Sequence, residues 1–281
     1  MRHLFHFHGL LALLLVLGCS LTAQATHVRG GEISYWPVAA TTTGVPRYHV
    51  LVTLYCDPMS PAKQDDITLV ATQAACSAAS TGFATVVQKS AALPLAASNC
   101  PPTYLYQVYT YDTDLDLPAG QWTLSTTLEN RISNLLNINS GNSVNNNIYL
   151  TAYLDNTLTA QDASPRFESL VLPVLHASNV VPASFSTFDA DADSLVYSYV
   201  LPQQFTGGSV NQLTPCGNSL ANALFSPHYQ LNQATGALVP VSGTQPQGYY
   251  NISGRVSEYR RLNGQWQLLG YVTRDLGCVD S

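Results

Sequence analysis

Between Tyr48 and Cys56 the side chains alternate: Tyr48, Val50, Val52, Leu54 and Cys56 fall on one face of an extended chain, and His49, Leu51, Thr53 and Tyr55 on the other. Successive residues of a strand point to opposite sides, so a run largely apolar or amphipathic on both predicts a strand covered on each face. Similar runs recur at turn-separated intervals. In the first half they are Ile67 to Ala71, Phe83 to Gln88, Thr103 to Tyr111, Gln121 to Leu128 and Ile148 to Leu154. The second half has Leu170 to Leu175, Ala183 to Phe188, Leu195 to Leu201, Ala237 to Val241, Tyr249 to Arg260 and Gln265 to Arg274. No long 3.6-residue repeat with caps is present, so almost no helix is expected. The pattern predicts an all-β protein.

Turn chemistry divides the pattern. Leu262-Asn263-Gly264-Gln265 predicts a two-residue hairpin, because Asn-Gly accepts the two positive φ angles of a type I′ turn. Counting outward from Leu262 opposite Gln265 sets Arg261 against Trp266, Tyr259 against Leu268, Glu258 against Leu269 and Val256 against Tyr271. Ile132 to Asn147, rich in Asn and Ser, is expected to be a mobile loop or tip. Ser164-Pro165 marks a boundary, since proline lacks a donor and restricts the residue before it. The expected layout is a signal peptide at residues 1–25 and two consecutive antiparallel β-sandwich domains, 26–163 and 164–281.

The signal rests on Arg2, an apolar core from Leu10 to Leu17, and the small-residue cleavage site Ala23-Gln-Ala25. That core is too short for a membrane span, which needs roughly 20 apolar residues. A competing reading makes Cys19 a lipid-anchored residue, but Leu17 is bulky where a lipobox has a small side chain. Cleavage after Ala25 is favoured, with an extracellular or outer-surface destination. Export also bears on Cys56, Cys76, Cys100, Cys216 and Cys278: in an oxidising compartment they are better read as disulfide partners than as metal ligands. Cys76 with Cys100 is the preferred local bridge, and Cys278 is left to Cys216 or Cys56.

Composition removes further classes. Net charge is −6 and the only lysines are Lys63 and Lys89, so no basic patch exists to neutralise a run of phosphates and nucleic acid is not an expected partner. The chain is 10% charged and correspondingly rich in Thr, Ser, Asn and Tyr, as exported β-proteins are. His27, His49, His176 and His228 are scattered, and support neither a zinc triad nor a nucleophile–histidine pair. A non-enzymatic protein is expected.

Two sets of residues carry candidate chemistry. Asp189, Asp191 and Asp193 alternate with alanines in an acidic turn feeding a strand, so their carboxylates, with Ser194 or a backbone carbonyl, can converge on a calcium ion; the alternative is a solvated polar turn that needs none. The loop is not an EF-hand, because Ser194 stands where the glycine belongs and Val200 where the bidentate glutamate belongs. Asp112, Asp114 and Asp116 repeat the spacing ahead of Leu117-Pro-Ala-Gly120 and are read as leading into a turn. Glu258, Arg260, Arg274 and Asp275 are read as solvated surface charges. The other set is aromatic: Trp36, Trp122 and Trp266, with Tyr249, Tyr250 and Tyr259, offer platforms for sugar rings, although Trp122 and Trp266 sit in alternating patterns that favour a core position.

Asp189-Ala-Asp-Ala-Asp-Ser-Leu-Val-Tyr197, Tyr229 to Pro240 and Gly248 to Arg260 together resemble cadherin-like, immunoglobulin-type modules. With Thr26-His-Val-Arg-Gly-Gly-Glu-Ile33, Ser164-Pro-Arg-Phe167 and Gly270-Tyr-Val-Thr-Arg-Asp275, the chain resembles the N-terminal region of Bacteroidetes gliding-motility-associated or PKD-containing surface proteins. The resemblance implies immunoglobulin/cadherin-like sandwiches, calcium at the acidic turn, and a role in adhesion, surface architecture or motility-linked contact. Partners would be a cell-surface protein or a polysaccharide; the alternative is a carbohydrate-binding module. Ala192 departs from the commoner pattern, which has a glycine there. Longer members continue into further repeats and a sorting domain, whereas this chain ends at Ser281.

Overall fold

The computed structural model describes residues 28–60, 63–73, 80–97, 105–168, 170, 174–175, 184–205, 217–219, 229–240 and 248–280. Residues 1–27, which hold the expected signal peptide and Cys19, and Cys76, Cys100 and Cys216 lie outside them. Among the described residues the regular structure is nearly all strand, with only two 3-10 turns, Asn139–Gly141 and Ser143–Asn145. Ten strands have six or more residues: β1 (Val28–Val38), β2 (Arg47–Cys56), β3 (Asp66–Gln73), β4 (Thr81–Ala92), β5 (Leu105–Asp116), β6 (Gln121–Leu128), β7 (Ile148–Asp155), β8 (Ser194–Tyr199), β9 (Gly248–Leu262) and β10 (Gln265–Asp280).

Their hydrogen bonds close a ring. The order is β1-β2-β5-β4-β3-β6-β7-β10, and β10 also pairs with β1, every contact antiparallel. One edge of β10 serves both ends of the sheet. Residues 270–272 pair with Leu154, Tyr153 and Ala152 of β7, and residues 274–276 with Glu32, Gly31 and Gly30 of β1. At the crossover Thr273 replaces ladder bonds with its side chain: its hydroxyl donates to the Thr151 carbonyl at 2.6 Å, and the Thr151 N–H lies 3.2 Å from Thr273 Oγ1. The other edge of β10 is occupied by β9, which carries β8 outside it.

An all-β fold with a large antiparallel sheet is therefore present. It differs in one respect from sandwiches set end to end: strands from beyond Ser164-Pro165 complete the sheet of the first half. Gly30 makes the closure possible. Its φ is +150°, and a Cβ there would fall on the Asp275 carbonyl.

The inward positions follow the sequence period. Val50, Val52 and Leu54 of β2, Tyr111 of β5, Leu124 of β6, Leu150, Ala152 and Leu154 of β7, and Val256 and Val272 of the hairpin share one core. Burying each large aliphatic side chain contributes roughly 1.5–3 kcal/mol. β2 is covered on both faces as expected, with Thr53 and Tyr55 also buried.

The hairpin holds near its turn and shifts beyond it. Asn263 and Gly264 have φ of 51° and 82°, and Leu262–Gln265, Arg261–Trp266 and Tyr259–Leu268 pair as expected. A bulge then places Glu258 opposite Gly270 and Val256 opposite Val272, leaving Leu269 as the extra residue.

Residues 132–147 pack back onto the sheet rather than projecting as a tip. Ile132, Leu135 and Ile138 form a small buried cluster, and Asn137 exchanges hydrogen bonds with Asn251 of β9 at 2.7 and 2.8 Å. The asparagines serve the backbone: Asn130, Asn134 and Asn139 hold positive φ. Of the weaker expected strands, the described part of Ala183 to Phe188 contributes Thr187–Phe188, paired with Arg166–Phe167, and that of Leu170 to Leu175 contributes Val174–Leu175, parallel to β10.

The charges expected at the surface are mostly inside. Arg274 and Asp275 are buried, facing Glu32 (2.9 Å) and Arg131 (2.7 and 2.8 Å) respectively, because β10 passes between β1 and the 132–147 segment. No disulfide joins the described cysteines: Cys56 is a buried thiol, pushed up to about 12 by burial, and Cys278 is buried without bonding to it.

Candidate metal centre

The acidic turn is built by its first residue. Asp189 Oδ1 accepts the N–H groups of Asp191 (2.9 Å) and Asp193 (3.0 Å), folding the chain back on itself. Ala192 completes the reversal with a φ of +60°, the left-handed conformation suited to the glycine of the commoner pattern. Two residues remote in sequence join the turn. Asp162 arrives just before Ser164, whose N–H and Oγ bond the Tyr35 carbonyl and N–H, both at 2.9 Å; beside it the Ala163 N–H donates to Asp191 Oδ2 at 2.8 Å. Glu258 comes from β9, turned inward at the bulge.

Five carboxylates thus gather here, three of them around the Arg260 guanidinium. Arg260 donates twice to Asp193, both at 2.7 Å, and once to Asp162 at 3.0 Å, with Asp191 at 3.5 Å. It is the internal counterion of the Asp162, Asp191 and Asp193 group, whose oxygens lie within 4.8 Å of one another. A second group, Asp189, Asp193 and Glu258, is equally close, and only Asp193 of it is held by Arg260.

Asp162 and Glu258 have no solvent exposure; as carboxylates, Asp162 Oδ2, Glu258 Oε2 and Asp189 Oδ2 have no donor, and Glu258, once protonated, is the hydrogen-bond donor to Asp162. Burial, followed by the Asp162 charge, pushes the Glu258 carboxyl well above the ordinary range. Burial raises Asp162 too, opposed by Arg260, and raises Asp189, opposed by the two backbone N–H bonds. Without a cation, burial favours the protonated form here, Glu258 above all. The Tyr35 hydroxyl lies 2.9 Å from the Tyr153 carbonyl and 3.0 Å from Glu258 Oε1; its single proton serves one of them. Gly270 admits this arrangement, since a Cβ there would fall on both Tyr35 Oη and Glu258 Oε1.

An oxygen-only, carboxylate-rich donor set suits a hard cation such as calcium. The turn residues Asp189, Asp191 and Asp193 come together as expected. Ser194 is exposed at the start of β8, opposite Tyr259. Asp162 and Glu258 were not selected from sequence: Asp162 belongs to no periodic run, and Glu258 turned away from the surface-charge expectation because its hairpin partner is Gly270.

The other candidates are placed differently. Asp112, Asp114 and Asp116 lie on β5 itself, ahead of the turn, and are matched across the sheet by Arg47 (3.1 Å from Asp116) and His49 (2.7 Å from Asp114). The His49 hydrogen bond holds Asp114 below the usual carboxylate range. Trp122 is buried, donating from Nε1 to the Pro118 carbonyl at 2.8 Å, and is no platform. Trp36 packs against His49, ring centroids 4.6 Å apart, with the Arg166 guanidinium 5.2 Å from its ring. Trp266 alone of the three is widely exposed, at 63%, against the core position its alternation favoured. No family model, curated protein or solved structure matches the chain.

Proposed function

We propose that this chain is an exported, non-enzymatic surface protein whose sheet is locked by a calcium ion and which works by contact, in adhesion or surface architecture. The observation that carries the reading is the pair of solvent-free carboxyls, Asp162 and Glu258, gathered beneath the acidic turn with Asp189, whose Oδ2 has no donor. Keeping both charged is costly, since Arg260 pairs with Asp162 alone of the two, and a divalent cation offsets that cost. Asp189, Asp193 and Glu258 would supply the ligands, Asp162 would reinforce them, and Arg260 would hold Asp162, Asp191 and Asp193 in place. Bound there, the ion would tie the 189–193 turn to β9 and so to β10. The resemblance to gliding-motility-associated surface proteins agrees with this role.

The test is thermal unfolding of the exported chain in EDTA and in calcium. At calcium one hundred times above its dissociation constant the expected stabilisation is about 2.7 kcal/mol. Asp189→Asn should reduce it sharply. An unchanged melting temperature at millimolar calcium would refute the reading.

A further inference from the structure

A cavity of about 310 Å³ opens well away from the carboxylates, lined among the described residues by Arg29, Asp57, Ile132, Ser133, Asn134 and Tyr249. Its volume lies at the small end of the roughly 300–1,000 Å³ range of ligand sites. The walls come from four places in the chain: β1 gives Arg29, the residue after β2 gives Asp57, the segment after β6 gives Ile132 to Asn134, and β9 gives Tyr249. Backbone bonds fix them to one another. The Ile132 N–H donates to the Val28 carbonyl at 3.2 Å, and the Leu136 N–H to the Tyr249 carbonyl at 2.8 Å. The cavity is preformed.

Its chemistry is mixed, and its charges are balanced. Arg29 Nη2 lies 3.3 Å from Asp57 Oδ2, so the cation and the anion of the wall offset each other. Phosphate attracted by Arg29 would meet Asp57, and a metal ion attracted by Asp57 would meet Arg29. Asp57 Oδ1 accepts the Met59 N–H at 2.9 Å and Oδ2 faces Arg29, and each oxygen keeps a second lone pair as an acceptor. Ser133 and Asn134 are exposed, joined only by a 3.5 Å contact between Asn134 Nδ2 and Ser133 Oγ, and so present a hydroxyl and an amide to the opening. Tyr249 is 37% exposed and adds an aromatic face; Ile132, the other apolar lining residue, is largely covered at 6%. A neutral polyol with one C–H face and hydroxyls around its rim complements that lining.

We infer that this cavity binds a neutral mono- or disaccharide unit, with Tyr249 against the sugar's apolar face and Asp57, Ser133 and Asn134 on its hydroxyls. The assignment is independent of the calcium reading and of the exposed Trp266. To test it, the exported chain is titrated calorimetrically with methyl glycosides of glucose, galactose, mannose and N-acetylglucosamine and with their disaccharides. The best binder is then measured against Tyr249→Ala, Asp57→Asn and Trp266→Ala, each checked for an unchanged circular dichroism spectrum. Tyr249→Phe keeps the ring should the alanine variant fail to fold, and should bind within about threefold of wild type. Binding weakened at least tenfold by Tyr249→Ala and by Asp57→Asn, but unchanged in Trp266→Ala, is the expected result. No binding to any of these sugars, binding that survives both cavity variants, or binding lost only with Trp266 would overturn it.

Discussion

Glu258 is a carboxyl with no exposed surface, and its proton is the most informative one in the molecule. Its value in the folded state is raised above the ordinary carboxylate range, chiefly by burial, so the folded chain retains a proton that the unfolded chain gives up. Stability then falls as pH rises, by about 1.4 kcal/mol per pH unit for each proton retained, from the ordinary carboxylate range upward through neutral pH. Asp162 is raised in the same direction and adds to the slope. In EDTA the melting temperature should therefore be higher at pH 6 than at pH 8. Glu258→Gln, neutral at every pH, should flatten that difference, and calcium should reverse it by replacing the protons. A slope undiminished in Glu258→Gln, beyond the share that Asp162 keeps, would place the titrating group elsewhere. Ala192 makes a second point at this scale: its φ of +60° costs a non-glycine residue roughly 1–2 kcal/mol. Ala192→Gly should raise the melting temperature slightly, less the extra freedom that glycine gives the unfolded chain.

At the scale of the element, the bulge in the β9–β10 hairpin decides where Glu258 goes. By sequence counting its partner is Leu269, and a leucine there would crowd the carboxyl; the bulge substitutes Gly270. A Cβ at residue 270 would lie only 2.6 Å from the Tyr153 carbonyl oxygen as well as on Tyr35 and Glu258, and neither backbone nor buried ring has room to yield. Gly270→Ala should destabilise by about 1–3 kcal/mol, the usual range for overpacking, and should weaken calcium binding, measurable together by denaturation with and without the ion. The strands were legible because a half-buried strand writes its period into the residues: β6 matches its expected bounds at both ends, and β2 and β7 nearly do. The turn at Asn263-Gly264 was legible because few residues accept its φ angles. A bulge leaves no such mark, since one added residue changes the register without changing the alternation on either side. The two acidic triplets show the same limit for the site. Asp112, Asp114 and Asp116 share the spacing of Asp189, Asp191 and Asp193, but their strand lies beside Arg47 and His49, while the turn lies over Asp162 and Glu258. Partners that distant in sequence have no local signal.

For the whole molecule the decisive element is β10, which one edge shares between β7 and β1. Two buried ion pairs sit where it joins β1: Arg274 with Glu32, and Asp275 with Arg131, the latter bound through both guanidinium nitrogens and flanked by Asn251 at 2.6 Å. Burying charge makes such pairs poor sources of net stability, but removing one member strands the other in the interior at a cost of roughly 3–5 kcal/mol. Because Arg131 precedes the 132–147 segment and Asp275 lies on the closing strand, the loss should not stay local. Asp275→Ala should lower the free energy of unfolding by that amount, read from urea denaturation. It should also increase hydrogen exchange in β1 and in β9 together, since both are paired to β10 on opposite edges. Replacing both partners with apolar residues of similar shape, Arg131→Met with Asp275→Leu, should recover much of the loss, because no unpaired charge remains. Faster exchange confined to β9 in the single variant, with β1 unchanged, would mean that β10 does not couple the two parts of the chain.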